Sequence, residues 1–170
     1  MIVALTGFMA SGKSYFGRKA ARRCGLQFAD LDLEMAERSG YGSVNALVAR
    51  EGMETFRTFE TEVLAQLLET EKDMVLSLGG GTVLSPANQE MLKRKARIIW
   101  LDTDLEIIMQ RMNPAIRPVA AGKSREELEA LYAERRPVYE SCADAVLHIG
   151  AEDETDETVQ RLAALIRSFI

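Results

Sequence analysis

The feature that most constrains this chain is the run 7–14, which matches the pattern G-x-x-x-x-G-K-[ST] at every fixed position. The apolar run 2–5 before it predicts a buried strand, and the proline-free run 15–24 after it predicts a helix. A glycine-rich turn between a strand and a helix N-terminus directs backbone N–H groups and the positive end of the helix dipole toward an anion. The run therefore predicts a nucleotide-phosphate site, with Lys13 on the outer phosphates and the Ser14 hydroxyl on Mg²⁺.

The length and charge of the chain narrow the class of protein. Its 170 residues predict one domain, 1–170, and 21 basic against 26 acidic residues give a net charge of −5. Proteins that bind nucleic acid or membrane surfaces are more often basic, so we expect neither partner. Cys24 and Cys142 match no disulfide framework or metal spacing. With no leader and no apolar run long enough to span a membrane, we expect a cytoplasmic protein.

Apolar runs alternate with helical segments along the chain. The runs 2–5, 26–29, 74–78, 98–101 and 145–149 predict five strands. The alternation predicts a three-layer α/β domain with a five-stranded parallel sheet and helices on both faces. Ligands bind outside the carboxyl ends of such strands, so we expect the segments that follow the strands to converge on one edge.

Several local signals predict where helices begin and end. Gly52 predicts the end of one helix, and the segment 53–68 carries apolar residues at helical spacing. Thr103 and Ser124 are each followed three residues later by glutamate, which predicts two capping boxes. The segment 113–123 contains two prolines and a glycine, so it predicts a loop that is a candidate mobile lid.

Two clusters at predicted strand ends have chemical and structural interpretations. Asp30 and Asp32 alternate in direction, so one could hold a Mg²⁺-bound water and the other could accept a hydroxyl proton. Alternatively, Asp32 is the N-cap of the following helix. The three glycines 79–81 indicate either a surface that a ligand approaches closely or a tight left-handed turn.

Several arginines have both a functional and a structural interpretation. Arg117, in the predicted lid, has the position of an arginine finger or of a solvated surface side chain. Arg57 and Glu60 lie three residues apart on one helix face, which suits either a guanidinium fixed for bidentate anion binding or an ordinary surface pair. Arg135 and Arg136, near a helix end, fit surface charges that match the helix dipole.

Taken in order, these motifs resemble those of the shikimate kinase family, a group of nucleoside-monophosphate-kinase-like P-loop proteins. The resemblance covers almost the whole chain, and the motifs after the P-loop make it specific. They are Phe28-Ala29-Asp30-Leu31-Asp32, Gly52-Met53-Glu54-Thr55-Phe56-Arg57 with Glu60, Gly79-Gly80-Gly81, Arg117-Pro118 and Arg135-Arg136-Pro137-Val138-Tyr139. The chain departs from the family at Val119-Ala120, where two leucines are usual.

The resemblance implies a P-loop kinase fold and a specific reaction. The γ-phosphoryl group of ATP would pass to the 3-hydroxyl of shikimate, giving shikimate 3-phosphate and ADP on the route to aromatic amino acids. The partners would be these small molecules and Mg²⁺, and the protein a monomer. Two alternatives are a related kinase, such as a gluconate kinase, and a non-catalytic nucleotide-binding protein.

The resemblance also implies roles for individual residues. Lys13, Asp32 and Arg117 would be catalytic, with Asp32 as the general base. Ser14 would bind Mg²⁺, and Asp30 would support the metal through water. The ATP site would comprise Gly7, Ala10, Ser11, Gly12, Lys13, Ser14, Tyr15, Arg111 and Arg117, with the loop 150–155 beside the adenine.

The implied shikimate site lies mainly in the region 32–60. It would comprise Asp32, Arg57, Gly79, Gly80, Gly81 and Arg135, with Glu60 orienting Arg57. Arg135 is chosen over Arg136 because it lies two residues before Pro137, the spacing that the family shows.

Overall fold

Five parallel strands form the centre of the computed structural model, which describes residues 1–112 and 123–170. The strand order is β2-β3-β1-β4-β5, and every neighbouring pair is parallel. The strands are β1 (Ile2–Thr6), β2 (Gln27–Asp30), β3 (Met74–Ser77), β4 (Ala96–Thr103) and β5 (Ala145–Ile149).

Helices connect the strands. They are α1 (Lys13–Cys24), α2 (Leu31–Ser39), α3 (Val44–Leu68), α4 (Pro86–Lys95), α5 (Leu105–Arg111), α6 (Arg125–Cys142) and α7 (Thr155–Phe169), with a short 3₁₀ helix at Thr82–Leu84. Helix α3 is interrupted at Gly52, where φ is 85° and ψ is 167°. The predicted break at this glycine is confirmed, since few other residues adopt a positive φ at low cost.

The helices cover both faces of the sheet. Helices α1 and α7 pack on one face, over a core that includes Phe16 and Leu162. The other face carries the remaining helices, over a core that includes Met35, Leu64 and Leu92. The predicted three-layer arrangement is confirmed. No helix in the ranges 1–112 and 123–170 combines the length and apolar character needed to cross a membrane.

One of the two predicted capping boxes is wrong. Thr103 is the last residue of β4, and its buried hydroxyl donates to the Ser11 carbonyl at 2.8 Å. Helix α5 begins at Leu105 and has no side-chain cap. The hydroxyl of Ser124, in contrast, accepts the backbone N–H of Glu127 at 3.1 Å and caps α6.

The carboxyl ends of all five strands lie at one edge of the sheet, as the parallel order requires. The run 7–14 follows β1, helix α2 follows β2, and the glycines 79–81 follow β3. This edge therefore holds most of the predicted site. The predicted lid at 113–123 and its Arg117 lie outside the described residues, apart from Lys123 at the end of the segment.

Candidate active site

The turn between β1 and α1 has the geometry of an anion cradle. Gly7, Ala10 and Gly12 all have positive φ, at 151°, 59° and 97°. A Cβ at Gly7 would lie 2.8 Å from the Leu101 carbonyl oxygen, and a Cβ at Gly12 would lie 2.6 Å from the Phe16 ring. Gly12 is the N-cap of α1 and provides no side-chain cap. The first N–H groups of α1 are therefore available to a bound anion.

Lys13 is held by the turn itself. Its buried ammonium donates to the carbonyl oxygens of Gly7 at 2.8 Å and Phe8 at 2.9 Å. These bonds restrict the side chain to the inner side of the cradle, where Lys13 lines the pocket.

Ser14 and Asp30 meet at the start of α1. The Ser14 hydroxyl donates to the Asp30 carboxylate and lies 3.1 Å from the Ser77 hydroxyl at the end of β3. Asp30 also caps α2, because its Oδ1 accepts the N–H groups of Asp32 at 3.0 Å and Leu33 at 3.2 Å. The sequence did not identify Ser77 as a site residue, although a polar residue at the end of an apolar strand, next to the glycines, was a usable signal.

The N-cap of α2 is Asp30, so the alternative that assigned this role to Asp32 is wrong. The helix begins at Leu31. Because Asp30 satisfies the helix N-terminus, the Asp32 carboxylate is available to the pocket that it lines.

The surroundings of Asp32 favour its neutral form. Protein atoms crowd the carboxyl group on most sides, while its pocket side remains exposed to solvent. Burial, with a smaller contribution from the negative charge of Asp30, raises the pKa of Asp32 from 3.8 to about 6, against the opposing effect of Lys13. A carboxylate with this pKa is ionised at neutral pH and can accept a proton there.

The glycines 79–81 form the wall between the cradle and α3. None of them has a positive φ, so the alternative of a left-handed turn is wrong. Instead, a Cβ at Gly79 would lie 3.1 Å from Asp32 Oδ1, and a Cβ at Gly81 would clash with the Arg57 guanidinium. The glycines therefore allow charged side chains to approach the backbone closely.

Arg57 and Glu60 form the predicted pair on α3. Arg57 Nη1 donates to Glu60 Oε1 at 2.7 Å, and Glu60 is only 1% exposed. The burial of Glu60 distinguishes this contact from an ordinary surface pair, because a buried carboxylate requires its partners.

The neighbouring arginines of α6 have different surroundings. Arg136 donates to Asp102 at 2.5 Å and to the Tyr132 hydroxyl at 2.7 Å, and it stacks over Trp100. Arg135 extends toward Gly80 and the Phe8 ring. In the part of the chain that the structure describes, its buried Nε has no hydrogen-bond partner. Arg135 is therefore the one placed to receive a ligand.

Tyr139 fixes the glycine wall from α6, a role that the sequence did not reveal. Its hydroxyl donates to the Gly80 carbonyl at 2.6 Å, and its ring packs near Trp100. Burial raises the pKa of Tyr139 to about 12, so the hydroxyl stays protonated and acts as a donor.

A cavity of about 730 Å³ joins the cradle to Asp30, Asp32 and Gly80. Tyr15, Arg111 and Thr155 also line this cavity. Arg111 Nη1 donates to the Ala10 carbonyl at 3.3 Å, and partial burial lowers the pKa of its guanidinium. Of the predicted site residues, those that line this cavity are Ala10, Gly12, Lys13, Ser14, Tyr15, Asp30, Asp32, Gly80 and Arg111. Arg57 and Arg135 do not line it but lie against Gly81 and Gly80. Arg117 lies outside the described ranges.

Comparison with known proteins gives a consistent result. The family model described as shikimate kinase matches residues 9–167. A shikimate kinase from Dictyoglomus turgidum is 35% identical over 167 residues, which is 94% of this chain and 96% of that protein. The solved structure of the Acinetobacter baumannii shikimate kinase in complex with shikimate matches with a TM-score of 0.86 and 29% identity, over 99% of this chain and 93% of that one.

A gluconokinase from Sinorhizobium meliloti shares the fold. It matches with a TM-score of 0.62 over 98% of this chain and 91% of that one, but only 14% of the residues are identical. That likeness extends to the architecture and no further. The family match over 9–167 and the 35% identity to a relative over 94% of this chain show that the chain belongs to the shikimate kinase family.

Proposed function

We propose that this protein transfers the γ-phosphoryl group of ATP to the 3-hydroxyl of shikimate, giving shikimate 3-phosphate and ADP on the route to aromatic amino acids. Family membership supports both the kinase activity and the acceptor. The observation that carries the proposal is that the phosphate cradle and the Asp32 carboxylate line one cavity, while Arg57 and Arg135 lie against Gly81 and Gly80 beside it. A phosphate donor and a small carboxylic acid can be held there side by side.

The ATP half of the site is built from the run 7–14. Backbone N–H groups at the start of α1 bind phosphate oxygens, and Lys13 contacts the outer phosphates. Tyr15, Arg111 and Thr155 line the same cavity and would flank the nucleoside.

The oxygen atoms at the start of α1 suit a magnesium ion. The Ser14 hydroxyl, the Asp30 carboxylate and the Ser77 hydroxyl lie together, and Mg²⁺ prefers oxygen ligands. We infer that Ser14 would bind the ion directly and Asp30 would hold it through water. When bound, Mg²⁺ neutralises charge on the transferring phosphates. The ranges 1–112 and 123–170 contain no cluster of three or more His, Cys, Asp or Glu side chains that could hold a metal without the nucleotide.

In the acceptor half of the site, the Asp32 carboxylate lies on one side and the guanidinium groups of Arg57 and Arg135 lie on the other. Arg57, oriented by Glu60, and Arg135 bind the shikimate carboxylate, because guanidinium groups match its planar geometry. Asp32 accepts hydrogen bonds from the ring hydroxyls at the cradle side. The backbone of 79–81 closes the pocket between these groups.

The transfer needs positioning more than covalent help from the protein. The 3-hydroxyl oxygen forms a bond to the γ-phosphorus, its proton passes to Asp32, and the bond from the γ-phosphorus to the bridging oxygen breaks to release ADP. Lys13 stabilises the charge on the phosphates. Arg117, in the segment 113–123 proposed as a lid, would contribute a second positive charge.

We further propose that the protein is a cytoplasmic monomer that acts on small molecules and binds neither nucleic acid nor membranes. The unpaired state of Cys24 and Cys142 supports a reducing compartment. The net charge of −5 supports the absence of nucleic-acid binding. Light scattering after gel filtration tests the monomer, with a mass of 18.9 kDa expected.

The decisive test is ADP release from Mg-ATP in the presence of shikimate, with gluconate and nucleoside monophosphates as parallel acceptors. We expect turnover with shikimate alone, and loss of turnover when EDTA removes the metal. Turnover with gluconate instead would transfer the assignment to the related kinases. Tight ATP binding without turnover on any acceptor would support a non-catalytic protein.

A further inference from the structure

The buried carboxylate of Glu60 has a second partner besides Arg57. Glu60 Oε2 accepts a hydrogen bond from the Thr82 hydroxyl at 2.8 Å, while Oε1 accepts from Arg57 Nη1 at 2.7 Å. Glu60 is 1% exposed and Thr82 is fully buried. Each oxygen of this carboxylate thus has its own donor on a different structural element.

Thr82 is itself held in place from two directions. It follows the glycines 79–81 directly, and its backbone N–H donates to the Gly79 carbonyl at 3.2 Å. Its carbonyl accepts the Asn88 side-chain amide at 2.9 Å, and Asn88 is fully buried in α4. Thr61 of α3 completes the network, because its hydroxyl shares its one proton between two acceptors, Asn88 Oδ1 at 2.9 Å and the Arg57 carbonyl at 3.1 Å.

We propose that Thr82 is a positioning residue for the acceptor, acting on the acceptor carboxylate through Glu60 and Arg57. The proposal rests on the proposed function, in which Arg57 binds that carboxylate. By occupying Oε2, the Thr82 hydroxyl restricts Glu60 to a contact with one guanidinium nitrogen, Nη1. The other terminal nitrogen, Nη2, is the guanidinium atom nearest to Gly81, which follows the cavity-lining Gly80, and in the proposed function it is left for the acceptor carboxylate.

Loss of the hydroxyl would change the use of the guanidinium. A buried carboxylate oxygen without a hydrogen-bond donor destabilises the fold. Oε2 would therefore accept a hydrogen bond from the nearest remaining donor. Carboxylates and arginines favour a bidentate pairing of two parallel N–H···O bonds. Glu60 would then take both terminal nitrogens of Arg57 and compete with the substrate for them.

The test uses two isosteric comparisons at position 82. Thr82→Val removes the hydroxyl and keeps the shape, whereas Thr82→Ser keeps the hydroxyl; Thr82→Ala compared with Thr82→Ser repeats the comparison if the valine variant fails to fold. We expect Thr82→Val and Thr82→Ala to raise the KM for shikimate about tenfold, since a hydrogen bond to a charged group is weakened. The KM for ATP and kcat should change less than about twofold, and Thr82→Ser should resemble the wild type.

A second substrate identifies the group through which Thr82 acts. Shikimate methyl ester keeps the ring hydroxyls but lacks the negative charge. The wild type should prefer shikimate to the ester in kcat/KM, and the preference should shrink at least threefold in Thr82→Val, because Arg57 then contributes less to carboxylate binding. A general loss of packing would lower kcat/KM equally for shikimate and for the ester. As a control, Thr158→Val removes another buried threonine hydroxyl, which bonds the Glu154 carbonyl at 3.0 Å in α7, and should leave the KM for shikimate unchanged.

The outcomes separate this inference from the proposed function. Wild-type protein without shikimate turnover would overturn the function. Wild-type turnover with an unchanged KM in Thr82→Val, equal impairment in the serine and alanine variants, a parallel rise in the KM for ATP, or an unchanged preference for the carboxylate would each overturn the role of Thr82 alone.

Discussion

Among the individual side chains, Asp32 is under two opposing demands. Catalysis requires an ionised carboxylate at the pocket wall, but burial and the charge of Asp30 favour the protonated form and raise its pKa to about 6. The capping role of Asp30 stabilises its negative charge beside Asp32, since its Oδ1 accepts hydrogen bonds from two helix N–H groups.

The pKa of Asp32 predicts the pH dependence of the reaction. The general base must be ionised, so kcat/KM in the free enzyme should fall tenfold per pH unit below about 6 and level off above it. Asp32→Asn should lower kcat by roughly 10²–10⁴-fold, because general base catalysis is lost, and should leave ATP binding intact. Steady-state kinetics from pH 5 to 8 measure both effects. A wild-type profile that is flat across pH 6, or an Asn variant with normal kcat, would remove Asp32 from this role.

The same substitution should stabilise the fold at neutral pH. A carboxyl whose folded pKa exceeds its unfolded value of 3.8 binds more protons in the folded state, so its ionisation lowers stability as pH rises from about 4 to about 6. Because the pocket side of Asp32 faces water, screening reduces the expected gain for Asp32→Asn at pH 7.5 to about 1 kcal/mol. Denaturant unfolding should show this gain at pH 7.5 and none at pH 3.5. Glu37→Gln, an exposed change on the same helix, should show no gain, and a destabilised Asn variant at pH 7.5 would contradict the argument.

At the next level of organisation, the segment 79–81 connects the elements of the site. Gly79 adjoins Asp32, Gly80 is bonded by Tyr139 of α6, and Gly81 adjoins Arg57 of α3. The three residues have ordinary backbone angles, so their small size rather than their flexibility explains the sequence.

Gly81→Ala should therefore affect function more than stability. The added Cβ meets the Arg57 guanidinium, which must shift and so weakens its contact with the buried Glu60, whereas the backbone is not strained. We expect the KM for shikimate to rise roughly tenfold or more as a charge-assisted hydrogen bond is lost, and the melting temperature to fall by no more than a few degrees, because Thr82 still bonds Glu60. The KM for ATP should stay constant, as should the KM for shikimate in Gly150→Ala, whose added Cβ makes ordinary contacts of 3.4 Å or more. A large loss of stability with unchanged KM would indicate a purely structural glycine.

The sequence predicted elements better than it predicted their ends. The break at Gly52 and the cap at Ser124 follow from local backbone chemistry and were predictable. Thr103 has the same local pattern as Ser124, but a contact with Ser11, 92 residues away, takes its hydroxyl into the core. Asp30 and Asp32 were equally good caps by composition, and only the position of β2 in the sheet decides between them.

For the molecule as a whole, one topological rule predicted the position of the site. Because all five strands are parallel, the run 7–14, Asp30, Asp32 and the glycines 79–81 had to meet at one edge. The partners of these residues were not predictable in the same way. Thr82 reaches Glu60 across 22 positions and Tyr139 reaches Gly80 across 59, and such pairings depend on how helices pack against the sheet.

We expect the two faces of the sheet to unfold together, in line with the predicted single domain over 1–170. The central strands β1, β3 and β4 contribute side chains to both cores, so neither core can be lost while the other remains intact. Leu64→Ala on one face and Leu162→Ala on the other each remove a fully buried side chain, and each should cost about 2–5 kcal/mol of unfolding free energy. Calorimetry should show one transition for the wild type and for both variants. For each protein, far-UV dichroism and the fluorescence of Trp100, the single tryptophan, should give the same melting temperature.

The exposed change Leu33→Ala, on a side chain 58% accessible, serves as the control and should leave the melting temperature nearly unchanged. Two separate transitions, with each variant shifting only one of them, would mean that the layers on the two faces fold independently.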